Sequence, residues 1–230
     1  MKIGIMQPYF LPYVGYWQLM NAVDKHVIYD DVNYIKSGWI NRNRMLTTDG
    51  KDMYFTLPLR DASSFKKINE IEILRVPEKI LKSVRQVYRK APCFDSAYPT
   101  VEAILHFPEK NLSRYLIHAN RVIADYLGIK TELIVSSELE KDNSLRADEK
   151  VLQICDLLGA DEYYNAIGGQ GLYSKEKFAA RGVMLRFLKS EPTPYRQFKF
   201  DFLSGLSILD VMMFNGRDRL HEMMGAYELV

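Results

Sequence analysis

Cysteine is scarce in this sequence: Cys93 and Cys155 are the two in 230 residues. Neither neighbours a second Cys or a His at ligand spacing, which excludes a disulfide scaffold and a sequence-local zinc site. Cys155 falls on the apolar stripe of an expected helix, where a small buried thiol is the ordinary role. No apolar run approaches the ~20 residues of a membrane-spanning helix, so membrane insertion is not expected. The opening Met1-Lys2-Ile3-Gly4-Ile5-Met6 breaks into Gln7 and Pro8 before a signal-peptide core could form, and a cytoplasmic location follows as an expectation. An excess of one charge is also missing. Lys and Arg number 31 against 29 Asp and Glu, a net of +2. That is far from the concentrated basic surface needed to hold a nucleic-acid polymer, so any anionic partner is expected to be small.

What is present is 47% hydrophobic residues, enough for one substantial core. Lys2 to Met6 suits a short buried strand, and Pro8 and Pro12 end its ladder. Helix formers from Gly15 to Val23 and an apolar strand from Asp24 to Tyr29 complete a βαβ unit with parallel strands. Residues 30–50 are polar and aromatic without periodicity and read as a functional loop, with Asp49-Gly50 turning a hairpin into Met53 to Leu59. Ile71 to Leu74 reads as a strand. Helices are expected over Pro77 to Lys90, over Asn111 to Leu127 with Gly128 as cap, and over Ala147 to Leu158 ended by Gly159. Strands are expected at Ile129 to Val135, Asp161 to Asn165 and, as the last, Val183 to Leu188, with a short helix around Ser174 to Ala180. Beyond Pro192 and Pro194 the composition turns Phe-, Met- and Leu-rich. The expected fold is α/β, a mostly parallel Rossmann-like sheet with flanking helices over 1–190 and a C-terminal helical cap over 191–230 packed on the same domain.

Three groups of residues could carry chemistry. The turn holding Gln7, Pro8, Tyr13, Gly15 and Tyr16 follows the first strand, where open parallel sheets bind ligands, and a helix opening near Gly15 would aim free N–H groups at a phosphate. An aromatic turn packed on itself would explain the same residues. Next, Asp30 and Asp31 end the second strand, with Lys36, Arg42 and Arg44 close behind. Carboxylates there can hold a ribose hydroxyl or Mg²⁺ or act as a base, and the cations can offset phosphoryl charge. Solvated ion pairs are the plainer alternative. Finally, Asn165, Gly168, Gly169 and Tyr173 follow a later strand, where Gly permits close approach and Asn both donates and accepts. With Trp39 and Asn41 they make the expected substrate side. No His-based catalysis is expected from His26, His106, His118 or His221.

Tyr13-Val14-Gly15-Tyr16 resembles the His-x-Gly-His signature of nucleotidylyltransferase-like α/β enzymes, with Tyr in place of both His. More of the chain is similar to the WbqC-like family. The segments that carry the likeness are Ile5 to Gln18, Asp30 to Lys36 with Trp39 to Asn43, Ser136 to Leu139, Tyr164-Asn165 with Gly168-Gly169, and Leu206 to Asp210 with Asn215-Gly216. That resemblance implies synthesis or decoration of bacterial O-antigen or capsule sugars. The expected activity is a transferase or ligase on a nucleotide sugar or amino sugar, using ATP and Mg²⁺, for example to activate a carboxylate for amide formation. A glycosyltransferase, an acyl-donor-dependent N-acyltransferase and a non-catalytic sugar-nucleotide-binding protein are the alternatives.

Overall fold

Ile3 and Ile5 supply the apolar layer of the first strand and Pro8 ends it, so β1 is confined to Lys2–Met6. In the computed structural model, residues 1–74, 77–191 and 193–230 are described, and Pro192 lies outside them. After β1 come α1 (Val14–Asn21), β2 (Lys25–Ile28), β3 (Arg42–Leu46), β4 (Asp52–Thr56), β5 (Leu59–Arg60) and β6 (Glu72–Ile73). Three helices follow, α2 (Glu78–Tyr88), α3 (Phe94–Leu105) and α4 (Leu112–Leu127). The chain then runs through β7 (Glu132–Val135), α5 (Ala147–Leu158), β8 (Glu162–Ala166), α6 (Lys175–Ala179) and β9 (Met184–Ser190). It closes with α7 (Ile208–Phe214), α8 (Arg217–Met224) and β10 (Tyr227–Leu229).

Six strands form the central sheet in the order β10-β9-β8-β1-β2-β7. All neighbours are parallel except the edge pair of β9 and β10. The chain leaves β1 toward β2 and β7, then crosses back to lay β8 on the other side of β1. The β1–β8 boundary is therefore the point where the strand order reverses, and a crevice opens at the carboxyl ends of such strands.

Amphipathic patterning builds the layers on this sheet. On one face Ile3, Ile5 and Val27 pack with Val151, Leu152, Ile154 and Cys155 of α5 and Phe178 of α6. On the other, Leu19 and Val23 meet Tyr164 and Leu188. The largest buried cluster lies beyond α1, joining Tyr16, Trp17 and Met20 to α2, α3, α4, α7 and α8. Helix α4 is the clearest product of local sequence. Asn111 caps it by accepting from the Arg114 N–H at 3.1 Å, and Gly128 closes it at φ 75.

The structure departs from the sequence reading in three places. Residues 30–50 are only partly loop, because Arg42–Leu46 pairs with β4 as a separate antiparallel hairpin. Its alternation is hidden because it buries Asn43 along with Met45. Helix α3 goes unseen because Pro99 sits inside it. Proline is a poor helix residue in local terms, and here Ala97, Val101, Ile104 and Leu105 bury a tertiary face that outweighs the lost bond. Finally, β9 is not the last strand, because β10 adds an antiparallel edge.

A buried carboxylate ties the outer helices together. Asp210 on α7 is fully buried and accepts hydrogen bonds from Tyr88 Oη at 2.7 Å, Tyr195 Oη at 2.6 Å and Gln197 Nε2 at 2.8 Å. Burial raises its pKa above the usual carboxylate value, partly countered by these donors. Tyr88 Oη also accepts from the Leu46 N–H at 3.0 Å, so one phenol joins α2, β3 and α7. Tyr88→Phe strips both bonds without changing shape, and a loss of about 1–3 kcal/mol in urea denaturation is expected.

Candidate functional site

The site is built from the Pro-rich turn after β1. Residues 10–12 direct three successive carbonyls inward, and each is captured. Asn43 Nδ2 donates to Phe10 O at 3.2 Å and Leu11 O at 2.9 Å, and Ser207 Oγ donates to Leu11 O at 2.6 Å. Pro12 O accepts from Trp17 Nε1 at 3.0 Å and the Ile208 N–H at 2.9 Å. Leu11 is held at φ 46, a left-handed conformation that a free Leu rarely adopts. These bonds fix where Tyr9 and Tyr13 point.

Tyr13 lies over the start of α1. A Cβ on Gly15 would stand 2.5 Å from the Tyr13 ring. Gly15 thus makes room for an aromatic side chain of the protein itself, which occupies the approach that a phosphate would need. Pro8 is buried outside the cleft lining. Tyr16 is 2% exposed and its Oη accepts from Asn120 Nδ2 at 3.1 Å. Beneath it His26 is fully buried, with neither ring nitrogen hydrogen-bonded among the described residues, and burial pushes its pKa down to about 3.

A cleft of about 470 Å³ opens at the carboxyl ends of β1, β2 and β8, within the roughly 300–1,000 Å³ of small-molecule sites. Gln7, Tyr9, Tyr13 and Tyr16 line it from the first turn and Tyr29 from the end of β2. Ile35 and Trp39 close one side, and Asn165, Gly168, Gly169, Leu172 and Tyr173 the other. At Gly169 a Cβ would stand 2.7 Å from Asn165 Nδ2, so a larger residue there would push that amide aside. Among the described residues none that lines the cleft is charged. Burial raises the phenol pKa values of Tyr9, Tyr13, Tyr16, Tyr29 and Tyr173, so all five stay protonated near neutral pH.

The remaining candidates stand around this cleft. Arg42 Nε donates to Gly38 O at 3.1 Å and its guanidinium also bonds Ser37 O, clamping the bend that presents Trp39. The Arg42 guanidinium sits 4.7 Å over the Tyr54 ring, and Tyr54 stacks on Trp39 with centroids 6.2 Å apart. Arg44 pairs with Asp52 at 3.1 Å, donates to Gly205 O at 3.2 Å and lies 6.0 Å over the Trp39 ring. Asn41 accepts from Tyr34 Oη at 2.8 Å and donates to Leu57 O at 2.9 Å, buried away from the cleft. Lys36 is exposed.

Both aspartates turn toward the segment that follows β7, Asp30 also toward α4 and Asp31 toward α5. Asp30 accepts from Ser113 Oγ at 2.7 Å, Ser137 Oγ at 2.9 Å and the Ser137 N–H at 3.0 Å. Asp31, 5% exposed, accepts from Ser136 Oγ at 2.7 Å and pairs with Lys141 at 2.9 Å and Lys150 at 3.4 Å. Burial by itself would raise the Asp31 pKa. The bonds from Ser136 and Lys141 and the two ammonium charges outweigh it, so the carboxyl titrates below the usual range.

The sequence reading gave Tyr9 no role of its own within the first turn and passed over Tyr29, although both stand where strands end. It also passed over Lys141 and Lys150. Lys150 had a visible signal: it lies four residues before Ile154, on the stripe of α5 that faces the core, an unusual place for an unpaired Lys. Asp31→Asn leaves those ammonium groups without their carboxylate, and a loss of about 3–5 kcal/mol in urea denaturation is expected. The stabilisation by Asp31 is complete above its unfolded pKa of roughly 4 and disappears as pH falls through its lower folded value. Acid titration of wild type and variant should converge there.

A family model described as the WbqC-like protein family matches residues 7–222. Rv1507c of Mycobacterium tuberculosis, named as an uncharacterized protein, is 28% identical over 219 residues, covering 92% of this chain and 92% of its own length. No solved structure matches. The matched span runs from Gln7 of the first turn through the cleft residues Trp39, Asn165 and Tyr173 to the C-terminal helices, and the chain belongs to the WbqC-like protein family.

Proposed function

We propose that the protein takes a sugar ring into this cleft during bacterial surface-polysaccharide biosynthesis, as a transferase or ligase acting on an amino sugar or nucleotide sugar. The observation that carries this reading is the neutral lining: aromatic faces from Tyr9, Tyr13, Tyr29, Trp39 and Tyr173 beside the amides of Gln7 and Asn165. A pyranose offers polarised C–H groups on its faces and hydroxyls around its rim. Aromatic quadrupoles attract the former, and amides and phenols can donate to or accept from the latter. Gln7 Oε1 is buried without a partner among the described residues, a free acceptor beside the cleft. A triphosphate at the start of α1 is not part of this reading, because the Tyr13 ring covers that position. Among the described residues no helix is long and apolar enough to cross a membrane.

One observation favours a second reading, a non-catalytic sugar-nucleotide-binding protein. Phenols with raised pKa values are poor general bases near neutral pH, and no other titratable group lines the cleft among the described residues. A sugar that binds and is recovered unchanged after incubation with ATP and Mg²⁺, and with an acyl-CoA, supports this second reading.

Trp39 is 41% exposed, so Trp39→Ala removes a platform without opening the core. Calorimetric titration with a panel of amino sugars and nucleotide sugars should show at least about tenfold weaker binding by the variant at unchanged Tm. Equal affinities for both proteins, or no binding across the panel, would remove the sugar from the cleft.

A further inference from the structure

A second concavity lies among the outer helices. It encloses about 830 Å³ between the carboxyl end of α2, the loop over 195–200 and the turn joining β3 to β4, and no residue lines both it and the cleft. Arg89, Lys90, Arg196 and Lys199 line it, all four exposed. Among the described residues none of the four takes part in an ion pair. No carboxylate lines the cavity among those residues either. Of the acids near it along the chain, Asp49 pairs with Lys51 at 3.6 Å, and Asp210 is buried and engaged by Tyr195 and Gln197. Asp95 and Asp201 are exposed outside the lining. The carboxyl ends of α2 and α7 bring up to about half a negative charge each, which favours cations at this corner without pairing them. The two basic segments, 89–90 and 196–199, are more than a hundred positions apart, so the fold itself gathers these like charges. Their repulsion is a cost that a bound anion would offset.

The floor of the cavity is aromatic and held in place. Phe198, Phe200 and Phe214 are half-buried there, with Phe198 edge-on to Phe214 at 4.8 Å between centroids. Phe198 stands at φ 53, a strained left-handed conformation for a bulky residue, and Arg196 Nε donates to its carbonyl at 2.9 Å. Gln197 is fully buried and anchors the same loop, donating to Asp210 and accepting the Leu203 N–H at 2.7 Å. The Phe200 ring lies on Gly50, where a Cβ would stand 2.4 Å from it. Asn215 Nδ2 donates to Val211 O at 2.8 Å, and its Oδ1 has no donor among the described residues.

We propose that this cavity binds a nucleoside di- or triphosphate, with the phosphates on Arg89, Lys90, Arg196 and Lys199 and the base against the phenylalanine rings. Four separate cations match the oxygens of a polyphosphate chain, guanidinium groups bind them in pairs, and flat apolar rings stack a base. Asn215 Oδ1 is open to a ribose hydroxyl or a base amine. A free sugar or a lone phosphate would use only half of this lining. The inference does not rest on the sugar reading, because the two cavities have no residue in common.

The test is calorimetry with ADP, GDP, UDP, CDP and ATP, beside adenosine and inorganic pyrophosphate. At least one nucleotide should bind wild type about tenfold or more tightly than either adenosine or pyrophosphate. The double variant Arg89→Gln, Lys199→Gln changes exposed side chains, so its Tm should stay near that of wild type while nucleotide affinity falls at least about tenfold. Phe200→Ala should weaken the nucleotide and leave pyrophosphate unaffected. No binding across the panel, equal nucleotide affinity in the double variant, or pyrophosphate as tight as the best nucleotide would each overturn the proposal. Hydrogen exchange of the wild type needs no variant: the nucleotide should protect amides over 86–90 and 196–200, and protection confined to 165–173 overturns it. Trp39→Ala separates the two sites. That variant should bind nucleotide as wild type does, and a loss there would place the nucleotide in the cleft and overturn the second site.

Discussion

Capture of the carbonyls of Phe10, Leu11 and Pro12 is the constraint on which the rest of the site depends. A turn with two prolines cannot satisfy those groups within its own backbone, and buried carbonyls without donors are costly. The donors come from far along the chain, with Asn43 in β3, Trp17 in α1, and Ser207 and the Ile208 amide at the start of α7. Each bond fixes the turn and at the same time fixes the element that donates it. Tyr9 and Tyr13 therefore face the cleft from a rigid support, and the hairpin that follows the Trp39 bend is positioned by the same Asn43.

That arrangement separates shape from charge. The carboxylates at the end of β2 turn away from the cleft, into serines and lysines on the β7 side, while the cleft keeps aromatic faces and amides. Arg42 and Arg44 likewise serve the platform, one clamping the bend before Trp39 and the other lying over its ring. The site is a neutral concavity with cations at its margins, and that neutrality is what the proposal of a polyhydroxylated ring as its occupant rests on.

Much of the framework was legible because it follows from local rules. A short Ile-rich apolar run and the prolines after it placed β1, glycine at φ 75 and φ 65 ended α4 and α5, and the expected mostly parallel α/β sheet is present. The two stretches read as candidate sites, 7–16 and 165–173, do meet across the β1–β8 boundary. Helix α3 and strand β10 were not legible. A proline inside the first and three residues of weak pattern in the second give no local signal, and both form through packing with distant partners.

By itself the sequence determined where β1 ends, where α4 and α5 stop, and that Pro-, Tyr- and Gly-rich segments would stand at the strands' carboxyl ends. Those outcomes depend on backbone sterics and on hydrophobic periodicity over a few residues. Only the tertiary structure decided which polar groups remain available to a ligand. Asp30 and Asp31 read as free carboxylates until Ser113, Ser136, Lys141 and Lys150 arrive from more than eighty residues away, and Gly15 reads as open until the Tyr13 ring covers it. A side chain's chemistry is written in its residue type, but its remaining hydrogen-bonding capacity and charge depend on neighbours that long-range folding supplies.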